Sequence, residues 1–290
     1  MTSEREAYVY IQLPGTLETV PAALLRVQTL PDGGQIGRFR YGDRYLERPG
    51  AVALDPFQLP LAKTVYEFTQ LKGIPGALRD ASPDAWGRRV IEHRLQSSAA
   101  SLHEVDYLLH GPQDGAGYLS FGLSAQPPAP KRLYNRTQQS SELIAAAQAI
   151  EAGMPVAAHL LEQLDPGTSM GGARPKATIE DAHSLWLGKF PSKDDRFNMQ
   201  RVEFATLDLA RRCGLNVAQA RLQAVADVDV LMLQRFGLST DDARKEIETI
   251  VAVVRQWRES FFACGVSARD VKHIAPAMLP ACFFFENASE

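Results

Sequence analysis

The run Gly167-Thr168-Ser169-Met170-Gly171-Gly172-Ala173-Arg174-Pro175-Lys176 gathers small residues where a chain can lay its backbone against an anion. Glycine permits close approach, and successive N–H groups in such a loop cradle phosphate oxygens. The spacing is neither a Walker A loop nor G-x-G-x-x-G, so an ordinary β-turn connector is a second reading of the same residues. Lys189 comes next, inside the apolar stretch Leu185-Trp186-Leu187-Gly188-Lys189-Phe190-Pro191. An ammonium on an apolar strand must reach water or a countercharge, because burying it alone is costly. In phosphoryl-transfer lobes such a lysine contacts the nucleotide and is paired by a glutamate on the next helix. Glu203 stands where that glutamate would be. A strand lysine turned to solvent is the other reading. The order loop, lysine, glutamate sets the two side by side. Gln234-Arg235-Phe236 closes the last strand, where such a lobe would cross a hinge or a plain edge strand would simply stop.

Other constellations carry less. Asp194-Asp195-Arg196-Phe197-Asn198 has the residue types of a metal cluster, but it sits in a charged loop directly after the lysine strand. Asx-rich loops of this kind are usually turns. The six histidines show neither i, i+4 pairing nor H-E-x-x-H spacing, so no metal site is expected. No serine lies in a G-x-S-x-G context, so a hydrolase elbow is not expected.

The elements that position these residues change character along the chain. Tyr8–Leu13, Ala22–Thr29 and Gln35–Tyr41 read as strands separated by Pro-Gly and Asp-Gly-Gly turns. Ser82-Pro83-Asp84-Ala85-Trp86 opens a helix, with Ser82 as N-cap, Pro83 at the first helical position, and Trp86, Val90, Ile91 and Leu95 on one face. Tyr118–Leu123 is a further strand. The Pro-rich stretch 126–130 then marks a boundary. Beyond it, Ser141–Ala152 is a helix stopped by Gly153, and Pro155–Leu164 a second, short one. Strands at Lys176–Ile179 and Ser184–Phe190 precede a helix over Arg201–Cys213, ended by Gly214. Ala218–Val225 and Val228–Arg235 pair around a turn. Thr240–Ala263 reads as one long amphipathic helix with the stripe Ala243, Ile247, Ile250, Val254, Trp257 and Phe261. Gly265 ends it, and Ser267 caps another short helix.

At 290 residues and 45% hydrophobic content the chain can bury one large core or two modest ones. A net charge of −3 gives no global reason to bind nucleic acid or a membrane directly. Cys213, Cys264 and Cys282 are odd in number and far apart, which fits a reducing compartment better than a disulfide framework or a zinc site. The charged start lacks a signal-peptide core, and no apolar run reaches the ~20 residues a membrane span requires. A cytoplasmic location and no membrane partner are expected.

Taken together, these residues resemble the HipA-like serine/threonine kinases, the toxins of type II toxin–antitoxin systems. Thr168 to Ala177 is similar to that family's phosphate-loop signature, and Lys189-Phe190-Pro191 to its nucleotide-lysine strand. Val202-Glu203, with Leu209-Ala210 and Gly214-Leu215-Asn216-Val217, is similar to the helix that comes next in the family. Upstream, Ala53-Leu54-Asp55-Pro56, Leu59-Pro60-Leu61 and Asp80-Ala81-Ser82-Pro83-Asp84-Ala85-Trp86-Gly87-Arg88 resemble its N-terminal region. The likeness covers most of Tyr8 to Arg235. It implies an α+β fold: a β-rich N-terminal subdomain over 1–125, a kinase N-lobe-like region over 126–236, and a truncated, all-helical remnant over 237–290. It implies that Ser169, Met170, Gly171, Gly172 and Ala173 hold ATP phosphates and that Lys189 contacts the nucleotide with Glu203 as partner. It places Met232 to Gln234, hence Met232 and Gln234, along the adenine hinge. ATP with Mg is the implied cofactor. A helix-turn-helix antitoxin is the implied partner, with operator DNA reached only through it.

The departure comes directly after Phe236. The family's catalytic-loop motif, roughly N-x-D-D-H-x-x-N, and its later metal-binding aspartate in a D-x-x-P context are not found. Instead Gly237-Leu238-Ser239-Thr240-Asp241-Asp242-Ala243-Arg244, Trp257 and the run Pro280 to Glu286 resemble the family's far C-terminal helices. The economical reading is an internal deletion that joins hinge to C-terminus, so no catalytic residue is assigned. Two functional expectations result: a kinase toxin by descent without activity, or a non-catalytic remnant that binds the antitoxin.

Overall fold

The computed structural model describes residues 3–13, 18–111, 117–127, 135–136, 139–164, 172–181, 184–234, 240–264 and 266–275. Three long strands, β1 (Ser3–Gln12), β2 (Thr19–Thr29) and β3 (Gln35–Tyr41), form an antiparallel meander. In β2 the buried residues Val20 and Ala22 give way to Ala23, Leu25 and Val27, a slip in the two-residue period. A bulge explains it. The register shifts between Val9 and Tyr10, leaving Ala22 as the extra residue and restoring the inward face on both sides. The chain continues through α1 (Asp43–Leu46), β4 (Tyr66–Phe68), a tight turn over Leu71–Gly73, and the helices α2 (Gly76–Asp80), α3 (Ala85–Arg94) and α4 (Glu104–Leu109) before β5 (Leu119–Gly122). The sheet order is β4-β3-β2-β1-β5. Gly37 and Gly73 let the turn lie against β3: a Cβ on Gly37 would fall 1.7 Å from the Gly73 carbonyl oxygen.

The second sheet is built from β6 (Asn135–Arg136), β7 (Lys176–Glu180), β8 (Leu185–Lys189), β9 (Ala220–Val225) and β10 (Val228–Gln234), in the order β6-β7-β8-β10-β9. Its β6–β7 pairing is parallel and the others are antiparallel. The helices α5 (Ser140–Glu151) and α6 (Ala158–Gln163) precede β7, and α7 (Met199–Arg212) joins β8 to β9. Asn198 caps α7, and Gly214 past its end takes φ 81°. The last helices are α8 (Thr240–Arg255), α9 (Trp257–Ala263) and α10 (Ala268–Ile274); α8 and α10 pack chiefly on α9.

Each sheet has its own core. The first holds Val9, Leu25, Phe39, Tyr41, Leu59 and Leu78, with Val105 and Leu108 from α4. The second holds Ile179, Trp186, Val230 and Met232 against Leu143 and Ile150 of α5, and it also takes in Trp86 and Val90 of α3. That helix therefore precedes the Pro-rich connector in sequence yet packs with the sheet and helix beyond it. The molecule is mixed α+β, as the sequence implies.

Two local expectations are corrected. The cap of α3 is Asp84, which accepts the Gly87 N–H at 2.7 Å, while Ser82 instead accepts from the Arg88 guanidinium. Asp caps as well as Ser, and here the chain reaches helical geometry only at Ala85. The expected single helix over Thr240–Ala263 is two. The Gln256 N–H bonds back only three residues, to the Val253 carbonyl, and the chain turns so that Trp257 is buried with Phe261 edge-on at 5.3 Å. Apolar spacing continues through the break, which is why it hides the kink.

Candidate functional site

The site is assembled on β7 and β8. In an antiparallel ladder, directly opposed residues project from the same face. Lys176 and Lys189 are such a pair, so two cations share one face of the sheet. Like charges placed this way repel unless each is compensated. Each is. The Lys189 ammonium meets Glu203 Oε1 at 2.6 Å, and the Lys176 ammonium meets Asp84 Oδ2 at 2.7 Å.

The two pairs differ in exposure. Lys189 and Glu203 retain 29% and 35% of their side-chain surface, so the ammonium can take a further ligand from the solvent side. Lys176 and Asp84 retain 5% and 12%. Glu203 reaches Lys189 because Asn198 fixes the start of α7: it accepts the Arg201 N–H at 2.9 Å and donates to Asp229, near the start of β10, at 2.6 Å. Asp229 also takes the Arg201 guanidinium at 2.7 Å, and those two donors hold its carboxyl below the usual carboxylate range. The helix is thus clamped to the sheet at the end that carries the glutamate.

Of the Gly-rich loop, Ser169, Met170 and Gly171 lie outside the described residues. Gly172 and Ala173 are exposed, and Gly172 takes φ 129°, a backbone that L side chains rarely adopt. A Cβ there would sit 3.0 Å from the Lys176 ammonium. The end of the loop is therefore stacked on that lysine. Asp194-Asp195 is a turn staple: Asp195 accepts the Ser192 N–H at 3.0 Å and pairs with Arg174. Among the described residues no group of acidic, histidine and cysteine side chains could hold a metal ion.

Met232 and Gln234 are not brought to the lysine face. Lys189 is opposed by Leu231, so the neighbouring Met232 points the other way, into the second core, where it is fully buried. Gln234 shares that side. Its amide nitrogen donates to the Ser184 hydroxyl at 3.2 Å, and its buried Oε1 has no hydrogen-bond partner. Arg235 and Phe236 lie outside the described residues. Asp84 and Lys176 form a buried pair beside the site that reading by motif underweights. The signal available was the coincidence of two family-like segments, one on each side of the connector, with an acidic residue in one and a lysine in the other.

Fold and site together define an α+β protein in which a β-rich unit is joined, through α3, to a second sheet bearing a lysine–glutamate pair. Residues 23–122 match the HipA N-terminal domain, and residues 168–280 match the HipA-like C-terminal domain. The chain belongs to the HipA-like family. Among solved structures it is similar to HipA of Shewanella oneidensis MR-1, described in its toxin–antitoxin complex with HipB and operator DNA, at 15% identity and a TM-score of 0.44. That match covers 79% of this chain and 50% of the other, so the chain spans about half the length of the relative. No curated protein matches it. Among the described residues no helix is long and apolar enough to cross a membrane.

Proposed function

We propose that this chain is a HipA-type serine/threonine kinase toxin by descent that keeps a nucleotide-phosphate clamp and does not transfer the phosphoryl group. The observation that carries the reading is the Lys189–Glu203 pair at 2.6 Å, half-open to solvent and next to the end of a Gly-rich loop. A glutamate-braced lysine offers a fixed ammonium to a phosphate oxygen. Ser169 to Ala173 would supply backbone donors beside it. ATP would be the ligand and Mg its counter-ion, brought in with the phosphates. Transfer also needs an aspartate base to accept the substrate proton and metal ligands to neutralise charge. The sequence after Gln234 carries neither motif, in keeping with a deletion between hinge and C-terminal helices.

The reading is tested by calorimetric titration of the purified chain with Mg-ATP, alongside Lys189→Ala, and by a protein-phosphorylation assay. Binding that is lost in the variant, with no phosphate transfer, is the expected result. Transfer that disappears in Lys189→Ala would overturn the inactive reading. Absence of any heat would remove the nucleotide role.

The second reading is a partner-binding remnant, favoured by the closed core of the first sheet. It predicts co-purification with a helix-turn-helix antitoxin at micromolar concentration, through which operator DNA would be reached. A clean failure to co-purify removes it.

A further inference from the structure

The acidic residue that meets Lys176 comes from a helix preceding the connector, and it does two jobs at once. Asp84 accepts the Gly87 N–H as the cap of α3 and ion-pairs with the Lys176 ammonium at 2.7 Å. Two further bonds tie the same helix to the same segment. The Trp86 N–H donates to the Gly172 carbonyl at 3.2 Å, and the Trp86 indole N–H donates to the Lys176 carbonyl at 3.1 Å. On the other side, the Phe190 N–H donates to the Pro175 carbonyl at 2.9 Å and Asp195 holds Arg174. Residues 172–176 are therefore fixed from two directions, and on one of them the fixing group is α3.

We propose that Asp84 is a positioning residue for the phosphate loop: by holding the Lys176 ammonium beneath Gly172 it sets where the loop leaves β7, and so couples the N-terminal unit to polyphosphate binding. The ligand class rests on the nucleotide reading above; the latch itself does not. Charge explains why the carboxylate is needed. Lys176 stands directly opposite Lys189 on the sheet, and Asp84 sets a carboxylate against Lys176 as Glu203 does against Lys189, which offsets the repulsion of the two cations. With Asp84 in place, Lys176 is drawn under the loop and Lys189 is left to its own partner and to the ligand.

The two jobs of Asp84 can be separated. Asn caps helices about as well as Asp, so Asp84→Asn keeps the start of α3 and removes the charge facing Lys176. Amide hydrogen exchange on the full chain without nucleotide is the first readout. Exchange at the Trp86 and Phe190 amides is expected to rise about ten-fold in Asp84→Asn, with the β1–β3 amides unchanged. Mg-ATP affinity, read in parallel with Lys189→Ala as the nucleotide control, is expected to fall by about the same factor. Asp84→Glu is expected to restore part of both. Unchanged exchange at Trp86 and Phe190 overturns the latch. Exchange raised throughout both sheets overturns it as well, because the residue would then be merely structural. Raised local exchange with unaltered ATP affinity overturns the coupling. If the parent chain takes up no Mg-ATP, the nucleotide reading fails, and the exchange result still decides the latch.

Discussion

The first sheet and the helices beyond the second core treat their apolar residues in opposite ways. Along β1 to β3 the inward positions are buried completely, and exposed positions carry Arg26, Arg38 and Arg40 with acidic partners. On α7 and α8 apolar residues stand outward: Leu209 is 62% exposed and Val253 67%. Folded chains seldom leave helix faces of that kind in water without something to cover them. The inward face of the first sheet is thus covered, whereas among the described residues α7 and α8 leave part of their apolar pattern outward. Removing side chains from the two regions should have correspondingly unequal effects.

The largest contrast is expected at Phe39. It is fully buried in the first core, edge-on to Tyr41 at 4.9 Å. Phe39→Ala should cost about 4 kcal/mol by lost transfer energy plus a cavity. Urea unfolding monitored by far-UV circular dichroism would check it, and a loss under about 1 kcal/mol would mean that this core is looser than its packing indicates.

Second in size is Glu104, 4% exposed at the start of α4. It receives Lys72 at 3.1 Å and Arg88 at 2.8 Å, and Arg79 as well. Burial pushes its carboxyl up, but the Arg88 bonds and the charges of Lys72 and Arg79 outweigh that and leave it below its ordinary 4.5. Glu104→Gln should cost about 3 kcal/mol at neutral pH, since three cations lose their counterion. A depressed folded-state value means that the carboxylate's contribution is present above 4.5 and is lost as the pH falls through the lower folded value. The gap between parent and variant should therefore narrow in acid. An equal gap at pH 7 and pH 3 would show that shape rather than charge matters at this position. Tyr107 lies beside the same cluster, under the Arg88 guanidinium at 4.2 Å, and donates to Glu92 at 2.7 Å. Tyr107→Phe should cost about 1.5 kcal/mol through that one bond.

This cluster also shows where sequence reading stops. β1 to β3 and β7 to β10 are legible because alternation and Gly or Pro punctuation are local signals, and Lys189 with Glu203 is legible because both fall in family-like segments. α4 is not legible: its cap is His103, whose ring accepts the Val105 N–H while Asp106 takes the His103 N–H. Histidine is not a residue that announces a cap. The convergence of Lys72, Arg79 and Arg88 on Glu104 joins positions remote in sequence, as does the Asp84–Lys176 pair. No periodicity encodes either, since both arise only when packing brings α2, α3, α4 and β7 together. The sidedness of Met232 is of the same kind. A motif gives its position along β10, and only the register against Gly188 gives the face.

The smallest stability effect is expected on the open helix, and it sharpens the comparison most. Leu209 has the same chemistry as Leu25, which is fully buried in β2. Leu25→Ala should cost about 3 kcal/mol. Leu209→Ala should fall within about 0.5 kcal/mol, because a mostly solvated side chain has little transfer energy to lose. If α7 presents its apolar face only to water, Leu209→Ala and Leu209→Glu should unfold at nearly the same urea concentration as the parent at every protein concentration. If that face is covered by another copy, the parent's midpoint should rise with protein concentration by mass action, and Leu209→Glu should abolish the rise. Paired with sedimentation of the two proteins, the measurement separates an unused face from one that the protein covers by association.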